Sequence, residues 1–127
     1  MKVLVTGGNG FIGRSLVKRL LSVGHEVVSF DNLGRKSSNH EKIKHEKFQL
    51  ILGDICDKKS VVNAAKGCST IFHLAFINGT KYFYEKPQTV LEVGVKGAIN
   101  TLEATLELGV ENYILASSSE VYHKPTQ

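Results

Sequence analysis

Short apolar runs alternate with longer amphipathic segments along the whole chain. The apolar runs predict five buried strands, at residues 3–5, 25–30, 48–52, 70–75 and 113–117. Residues 11–23 place apolar positions at helical spacing with basic residues between them, and residues 88–108 are predicted as a long helix that Gly109 ends. Asp57 is a suitable cap for a further helix. The pattern therefore alternates strand and helix.

This alternation predicts an α/β fold with a doubly wound parallel sheet covered by helices on both faces, in three layers. We expect the strand order 3-2-1-4-5 and a ligand crevice at the carboxyl ends of strands one and four. At 127 residues the chain has the size of one domain, so residues 1–127 are expected to form a single unit.

A glycine-rich motif joins the first strand to the first helix. Residues 6–13 read Thr-Gly-Gly-Asn-Gly-Phe-Ile-Gly. Gly7 allows the tight turn, Gly10 lets the backbone approach a pyrophosphate, and Gly13 lets the helix pack closely on the strand. The first helical turn, which includes Phe11 and Ile12, then directs its N–H groups at the phosphates. The motif predicts a Rossmann-like dinucleotide site.

Asp31 stands at the end of the second strand, about 20 residues after the glycines. Its carboxylate can accept both hydroxyls of the adenosine ribose and would repel a 2′-phosphate, which favours NAD over NADP. Arg35 and Lys36 lie near enough in sequence to weaken that preference. The alternative for Asp31 and Asn32 is an ordinary strand-ending turn, because both residue types favour turns.

The remaining strand ends should converge on the same crevice. The further predicted cofactor contacts are Asp54 and Ile55 at the adenine, Leu74, Ala75 and Phe76 at the ribose and pyrophosphate, and Ala116 and Ser117 near the nicotinamide. His73 is interpreted as a packed, hydrogen-bonded histidine, with a catalytic role as the alternative.

Composition excludes several classes of protein. No stretch of about 18 consecutive apolar residues is present, which argues against a membrane span. The first residues do not have the pattern of a secretory leader, and we expect a cytoplasmic protein. Cys56 and Cys68 lack metal-ligand spacing and are expected to be reduced thiols without a metal.

The net charge of +4 arises partly from a basic stretch at residues 35–47. Aromatic residues do not interleave with these charges and no groove-reading motif is present, so nucleic-acid binding is not expected. We interpret the stretch as a solvated loop that could reach over the cofactor. Contact with an acidic partner is the alternative.

Five motifs in order resemble the extended short-chain dehydrogenase/reductase family, and within it the NAD-dependent nucleotide-sugar epimerases and dehydratases. They are residues 6–13, Asp31-Asn32, Gly53-Asp54-Ile55, His73-Leu74-Ala75 and the run Ser-Ser-Ser-Glu-Val-Tyr at 117–122. The resemblance implies a bound NAD that takes a hydride from a sugar carbon and returns it. It also implies homodimers formed partly through the long helix after strand four.

The resemblance also implies catalytic residues. Ser118 aligns with the residue that orients the reacting sugar hydroxyl, and Ser119 and Glu120 occupy positions that are both acidic in the dehydratases. Only one acid is present here, which favours an epimerase or related oxidoreductase. Gly94 stands where close relatives often have a cofactor-contacting asparagine.

A tyrosine–lysine base pair should follow the serines on a later helix, but Tyr82 and Lys86 precede them and are interpreted as coincidental. We therefore expect an NAD-binding portion of a nucleotide-sugar epimerase or dehydratase that is inactive by itself. The alternative is a non-enzymatic NAD(P)-sensing module.

Overall fold

The computed structural model describes residues 1–34, 42–118 and 121–122. Five strands form one parallel sheet in the order β3-β2-β1-β4-β5, as predicted. The strands are β1 (Lys2–Thr6), β2 (Glu26–Asp31), β3 (Phe48–Leu52), β4 (Thr70–His73) and β5 (Asn112–Leu115). The helices are α1 (Phe11–Ser22), α2 (Lys58–Ala65), α3 (Thr80–Glu85) and α4 (Pro87–Leu108).

Helices cover both faces of the sheet, which confirms the three-layer prediction. On one face, α1 buries Val17 and Leu21 against apolar residues of β1 and β2. On the other face, α2 and α4 pack together over Leu4, Val28 and Ile71. Strands β1 and β2 therefore bury apolar side chains on both faces, as expected of central parallel strands.

Strands β4 and β5 are shorter than predicted, and both end level with the end of β1. Pairing of β1 with β4 stops at Thr6 and His73, because Gly7 leaves the sheet with a φ of +68°. Pairing of β4 with β5 stops at the same residue of β4, with His73 opposite Leu115. Residues 74–76 and 116–118 thus belong to the loops that follow β4 and β5 instead of to the strands.

The last residue of the basic stretch lies at the amino edge of the sheet. Lys47 directly precedes β3, and its Nζ lies 3.4 Å from the carbonyl of Gly24, at the amino edge of the sheet. A loop that reaches over the cofactor stays a prediction for the rest of the stretch. Residues 35–41, with Arg35 and Lys36, lie outside the described part of the chain.

Candidate functional site

Backbone hydrogen bonds tie the five strand ends into one continuous edge, which we call the carboxyl edge. Gly53 N donates to Asp31 O, and Gly7 N donates to Phe30 O. Leu74 N donates to Thr6 O, and Ala116 N donates to His73 O. The predicted cofactor contacts follow all five strands, and these bonds bring their segments side by side.

The glycine loop is built for close packing. A Cβ on Gly13 would lie 2.1 Å from Gly7 O, so only glycine allows α1 to start against this loop. Gly10 is the N-cap of α1 and supplies no side-chain hydrogen bond. The N–H groups of the first helical turn have no intrahelical acceptors, and Phe11 and Ile12 are exposed there. This helix start therefore has the free N–H groups with which helices can bind an anion such as a pyrophosphate.

Asp31 is positioned directly beside the glycine loop. Its Oδ2 accepts a hydrogen bond from Asn9 N at 2.9 Å, and its Oδ1 accepts one from Leu33 N at 2.8 Å. Each carboxylate oxygen keeps a further acceptor position, so two hydroxyl groups can still bind. The neighbouring Asn32 caps its own turn, with Oδ1 accepting from Gly34 N at 2.9 Å.

The segment after β3 is fixed by α4. Asn100 is buried and its Nδ2 donates to Ile55 O at 2.9 Å. Ile55 is buried against Gly97, where a Cβ would come within 3.0 Å of it. Asp54 orders the same turn by accepting from Cys56 N at 2.8 Å. The sequence did not single out Asn100, although a polar side chain on the buried face of a helix is a recognisable signal.

A hydroxyl–imidazole pair supports the segment after β4. Thr6 Oγ1 accepts hydrogen bonds from Leu74 N and Ala75 N, both at 3.1 Å, and lies 2.8 Å from His73 Nδ1. Because both lone pairs of the hydroxyl are used, its proton must be donated to Nδ1. His73 is therefore a neutral ring with its proton on Nε2.

Burial agrees with this state of His73. The side chain is 4% exposed, and desolvation lowers its pKa from 6.5 to about 4. Its ring packs near Tyr113, whose own pKa is raised by burial. The interpretation of His73 as a packed, hydrogen-bonded histidine agrees with these contacts. Thr6 was missed, although a threonine ending a buried apolar strand is visible in the sequence.

The other predicted residues lie in the segments that follow β4 and β5. Phe76 is exposed and contacts the ring of Phe83, and it occupies the space beside Gly94. Ala116, Ser117 and Ser118 follow β5 and are exposed. Ser119 and Glu120 lie outside the described residues. Tyr82 belongs to α3 and therefore precedes α4, as the sequence interpretation required.

The two cysteines are weakly acidic thiols. Both are free thiols, and burial raises the pKa of Cys56 and of Cys68, with Asp54 adding to the effect at Cys56. Within residues 1–34, 42–118 and 121–122, no cluster of three potential metal ligands occurs. None of the helices in these ranges is long and apolar enough to cross a membrane.

Comparisons with known proteins agree with this geometry. A family model described as the NAD dependent epimerase/dehydratase family matches residues 3–127. The chain is 39% identical over 126 residues to a UDP-N-acetyl-alpha-D-glucosaminuronate decarboxylase of Bacillus cytotoxicus, covering 98% of this chain and 39% of that protein. It is 37% identical over 124 residues to a 3-beta-hydroxysteroid dehydrogenase of Mycolicibacterium neoaurum, covering 94% of this chain and 32% of that protein.

A solved structure gives the same result. The UDP-glucose 4-epimerase of Thermus thermophilus in complex with NAD superposes with a TM-score of 0.81 at 36% identity, over 93% of this chain and 38% of that one. The chain thus spans less than half the length of each of these similar proteins.

Proposed function

Because the chain belongs to the NAD-dependent epimerase/dehydratase family, we propose that it is the NAD-binding portion of a nucleotide-sugar epimerase or dehydratase. The family's dependence on NAD confirms the cofactor predicted from the sequence. One observation carries the assignment of the site: the uncapped start of α1 lies beside Asp31, so an anion site adjoins a hydroxyl-accepting carboxylate.

Different residues of the carboxyl edge would hold different parts of the cofactor. The first turn of α1 would hold the pyrophosphate, and Asp31 would accept the ribose hydroxyls. Asp54 and Ile55 would hold the adenine, where α4 fixes their backbone. Ala75 and Ser117 would lie along the remainder of the dinucleotide, toward the nicotinamide. When bound, NAD would supply the acceptor for a hydride from a sugar carbon.

Binding of NAD by the purified 127-residue chain is the direct test. Calorimetry should show saturable NAD binding and at least about tenfold weaker NADP binding, because the carboxylate of Asp31 repels the 2′-phosphate. Asp31→Asn should weaken NAD binding. Asp57→Asn removes the same charge from the same edge, at the start of α2, and should bind NAD as the wild type does. Absence of NAD binding would contradict the assignment.

Turnover is expected to require residues beyond these 127. The resemblance places a tyrosine–lysine base on a helix after β5, whereas Tyr82 lies on α3. We therefore expect no sustained conversion of UDP-glucose or UDP-glucuronate by this chain with NAD. In the longest natural form of the protein, Ser118→Ala should strongly lower turnover. The NAD(P)-sensing alternative is favoured if the longest natural form binds NAD(P) and regulates a partner protein but never turns over substrate.

A hydroxysteroid oxidoreductase is the second candidate. It is favoured by the 37% identity to a 3-beta-hydroxysteroid dehydrogenase, which extends over 94% of this chain, against 98% for the decarboxylase. Reduction of NAD by a 3β-hydroxysteroid, with no reaction of UDP-sugars in the longest natural form, would select this candidate. The reverse pattern would select the nucleotide-sugar enzyme.

The outer face of α4 supports a homodimer. Its exposed apolar side chains recur at helical spacing and include Leu91, Val95, Ile99, Leu102 and Leu106. A stripe of this kind is unfavourable in water and is typical of an interface. Light scattering at high concentration should therefore detect self-association. A monomer at every concentration would contradict the homodimer.

A cytoplasmic location stays a prediction.

A further inference from the structure

Ser29 lies directly beneath the glycine loop. It is the fourth residue of β2 and pairs with Val5 of β1 and Leu50 of β3. The side chain is fully buried. A Cβ built on Gly8 would lie 2.4 Å from Ser29 Oγ and 2.9 Å from Ser29 Cβ. The backbone of the loop therefore rests on this serine.

Gly8 is the glycine that the dinucleotide motif leaves without a role. Its φ is not positive, unlike that of Gly7, so backbone conformation does not demand glycine here. Space demands it instead, because Ser29 and the carbonyl of Val5 occupy the position of a side chain. Gly8 and Ser29 thus form a matched pair of small residues.

The hydroxyl of Ser29 gives no hydrogen bond that would explain its presence. Among the described residues, Ser29 Oγ is the buried side-chain oxygen or nitrogen atom without a hydrogen-bond partner. A buried unpaired hydroxyl is unfavourable, so hydrogen bonding does not account for serine at this position. The property of the side chain that the loop uses is its small size.

The geometry assigns Ser29 as a positioning residue that sets the height of the glycine loop, and through it the place of the pyrophosphate. A larger side chain at position 29 would lift Gly8 and displace the start of α1, while the adenine-side contacts at Asp54 and Ile55 would stay in place. This inference rests on the proposed NAD site.

The test compares variants of the 127-residue chain by titration with NAD and with adenosine, which lacks the pyrophosphate. Ser29→Val should weaken NAD binding about tenfold or more and adenosine binding much less, because adenosine would depend on the glycine loop only through Asp31, which accepts from Asn9 N. Ser29→Ala, which keeps the small volume, should bind NAD within about twofold of the wild type. Ser69→Val adds the same volume at the amino edge, where Ser69 donates to Lys2 O, and should not change NAD binding.

A reciprocal pair of variants protects the test if Ser29→Val fails to fold. Gly8→Ala directs its methyl group at Ser29, away from the face of the loop that would bind the ligand, and should weaken NAD binding. Adding Ser29→Gly to Gly8→Ala should restore part of the lost NAD binding. The recovery is partial because the carbonyl of Val5 would still lie 3.1 Å from the new methyl group.

The outcomes separate the two proposals. A wild-type chain that does not bind NAD overturns the proposed function. A wild-type chain that binds NAD, with Ser29→Val binding equally well, overturns the role of Ser29 alone. Equal losses of NAD and adenosine binding, or no rescue of Gly8→Ala by Ser29→Gly, would likewise overturn it.

Discussion

Helices α1 and α2 both start at the carboxyl edge, but only α2 has a side chain that accepts a hydrogen bond from its first turn. At α2, Asp57 caps the helix: its side chain accepts from Lys59 N at 3.0 Å and from Ser60 Oγ at 2.6 Å. The Ser60 bond lowers the pKa of Asp57, so the cap is an anion. At α1, Gly10 brings no side chain to the helix start.

The difference shows what makes a helix start into a ligand site. Both helices follow strands of the same sheet and carry the same partial positive charge at their first turn. The carboxylate of Asp57 satisfies that charge from within the chain. At α1 the charge and the N–H groups remain for an external anion, and Asp31 adds the hydroxyl acceptor beside them. The helices α3 and α4 also lack a side-chain cap, so the start of α1 is distinguished by the missing cap together with Asp31 and the glycine loop beside it.

The largest effect is expected from closing the space in which α1 begins. In Gly13→Ala the new methyl group would lie 2.1 Å from Gly7 O and 2.8 Å from Gly8 Cα, and backbone atoms cannot move aside cheaply. We expect a loss of about 3 kcal/mol or more in the free energy of unfolding, together with loss of NAD binding. Urea denaturation and calorimetry measure the two effects.

Gly109→Ala provides the matched control for that prediction. Gly109 ends α4 with a φ of +65°, and a Cβ added to it would meet no atom within 4 Å. The substitution should cost about 1 kcal/mol for the strained backbone and leave NAD binding unchanged. Equal costs at positions 13 and 109 would contradict the packing argument.

Much of this contrast could be predicted from the sequence. The glycine spacing located α1, the cap at Asp57 located α2, and the strand order followed from the alternation of strands and helices. These features are local or topological. The short helix α3 was missed, because its six residues bury no side chain and so carry no apolar periodicity.

The supporting contacts could not be predicted, because they join residues far apart in the chain. Thr6 and His73 are 67 positions apart, and Asn100 reaches back 45 positions to Ile55. Ser29 is one polar residue within an apolar strand, and only the fold shows that Gly8 lies on it. Periodicity places a side chain on a face, but the partner on that face depends on how the sheet assembles.

Titration of His73 should weaken the support of the segment after β4 and leave the α2 cap intact. The folded pKa is about 4 and the unfolded value is 6.5, so between these values the unfolded chain binds the proton more readily. Stability should therefore fall as the pH falls from about 6.5 to about 4, by at most about 3 kcal/mol over the whole window.

Urea denaturation at a series of pH values measures this dependence. His73→Asn keeps an acceptor near Thr6 and does not titrate, so the difference between wild type and variant isolates the histidine from the carboxylates. Below pH 6.5 the free energy of unfolding should fall more steeply with falling pH for the wild type than for the variant. Parallel slopes down to about pH 4 would show that His73 is not buried in its neutral form.

Supplying α1 with the kind of cap that α2 has should convert one helix start into the other. Gly10 has a φ of −71° and a ψ of 175°, which aspartate adopts readily, although a Cβ would lie 3.1 Å from Gly7 O. Gly10→Asp should occupy the first N–H groups and repel the pyrophosphate, weakening NAD binding about 100-fold. Gly10→Ala, measured by the same calorimetry, separates the charge from the added volume.

The smallest effect is expected from removing the cap at α2. Asp57→Ala loses the bonds to Lys59 N and Ser60 Oγ on an exposed helix start, which should cost about 1 kcal/mol in the free energy of unfolding. NAD binding should stay at the wild-type level, because α2 contributes no contact to the proposed site. Ser60→Ala, which removes one of the two bonds, should cost less. If Asp57→Ala weakened NAD binding as strongly as Gly10→Asp, the start of α2 would belong to the site and the contrast between the two helices would fail.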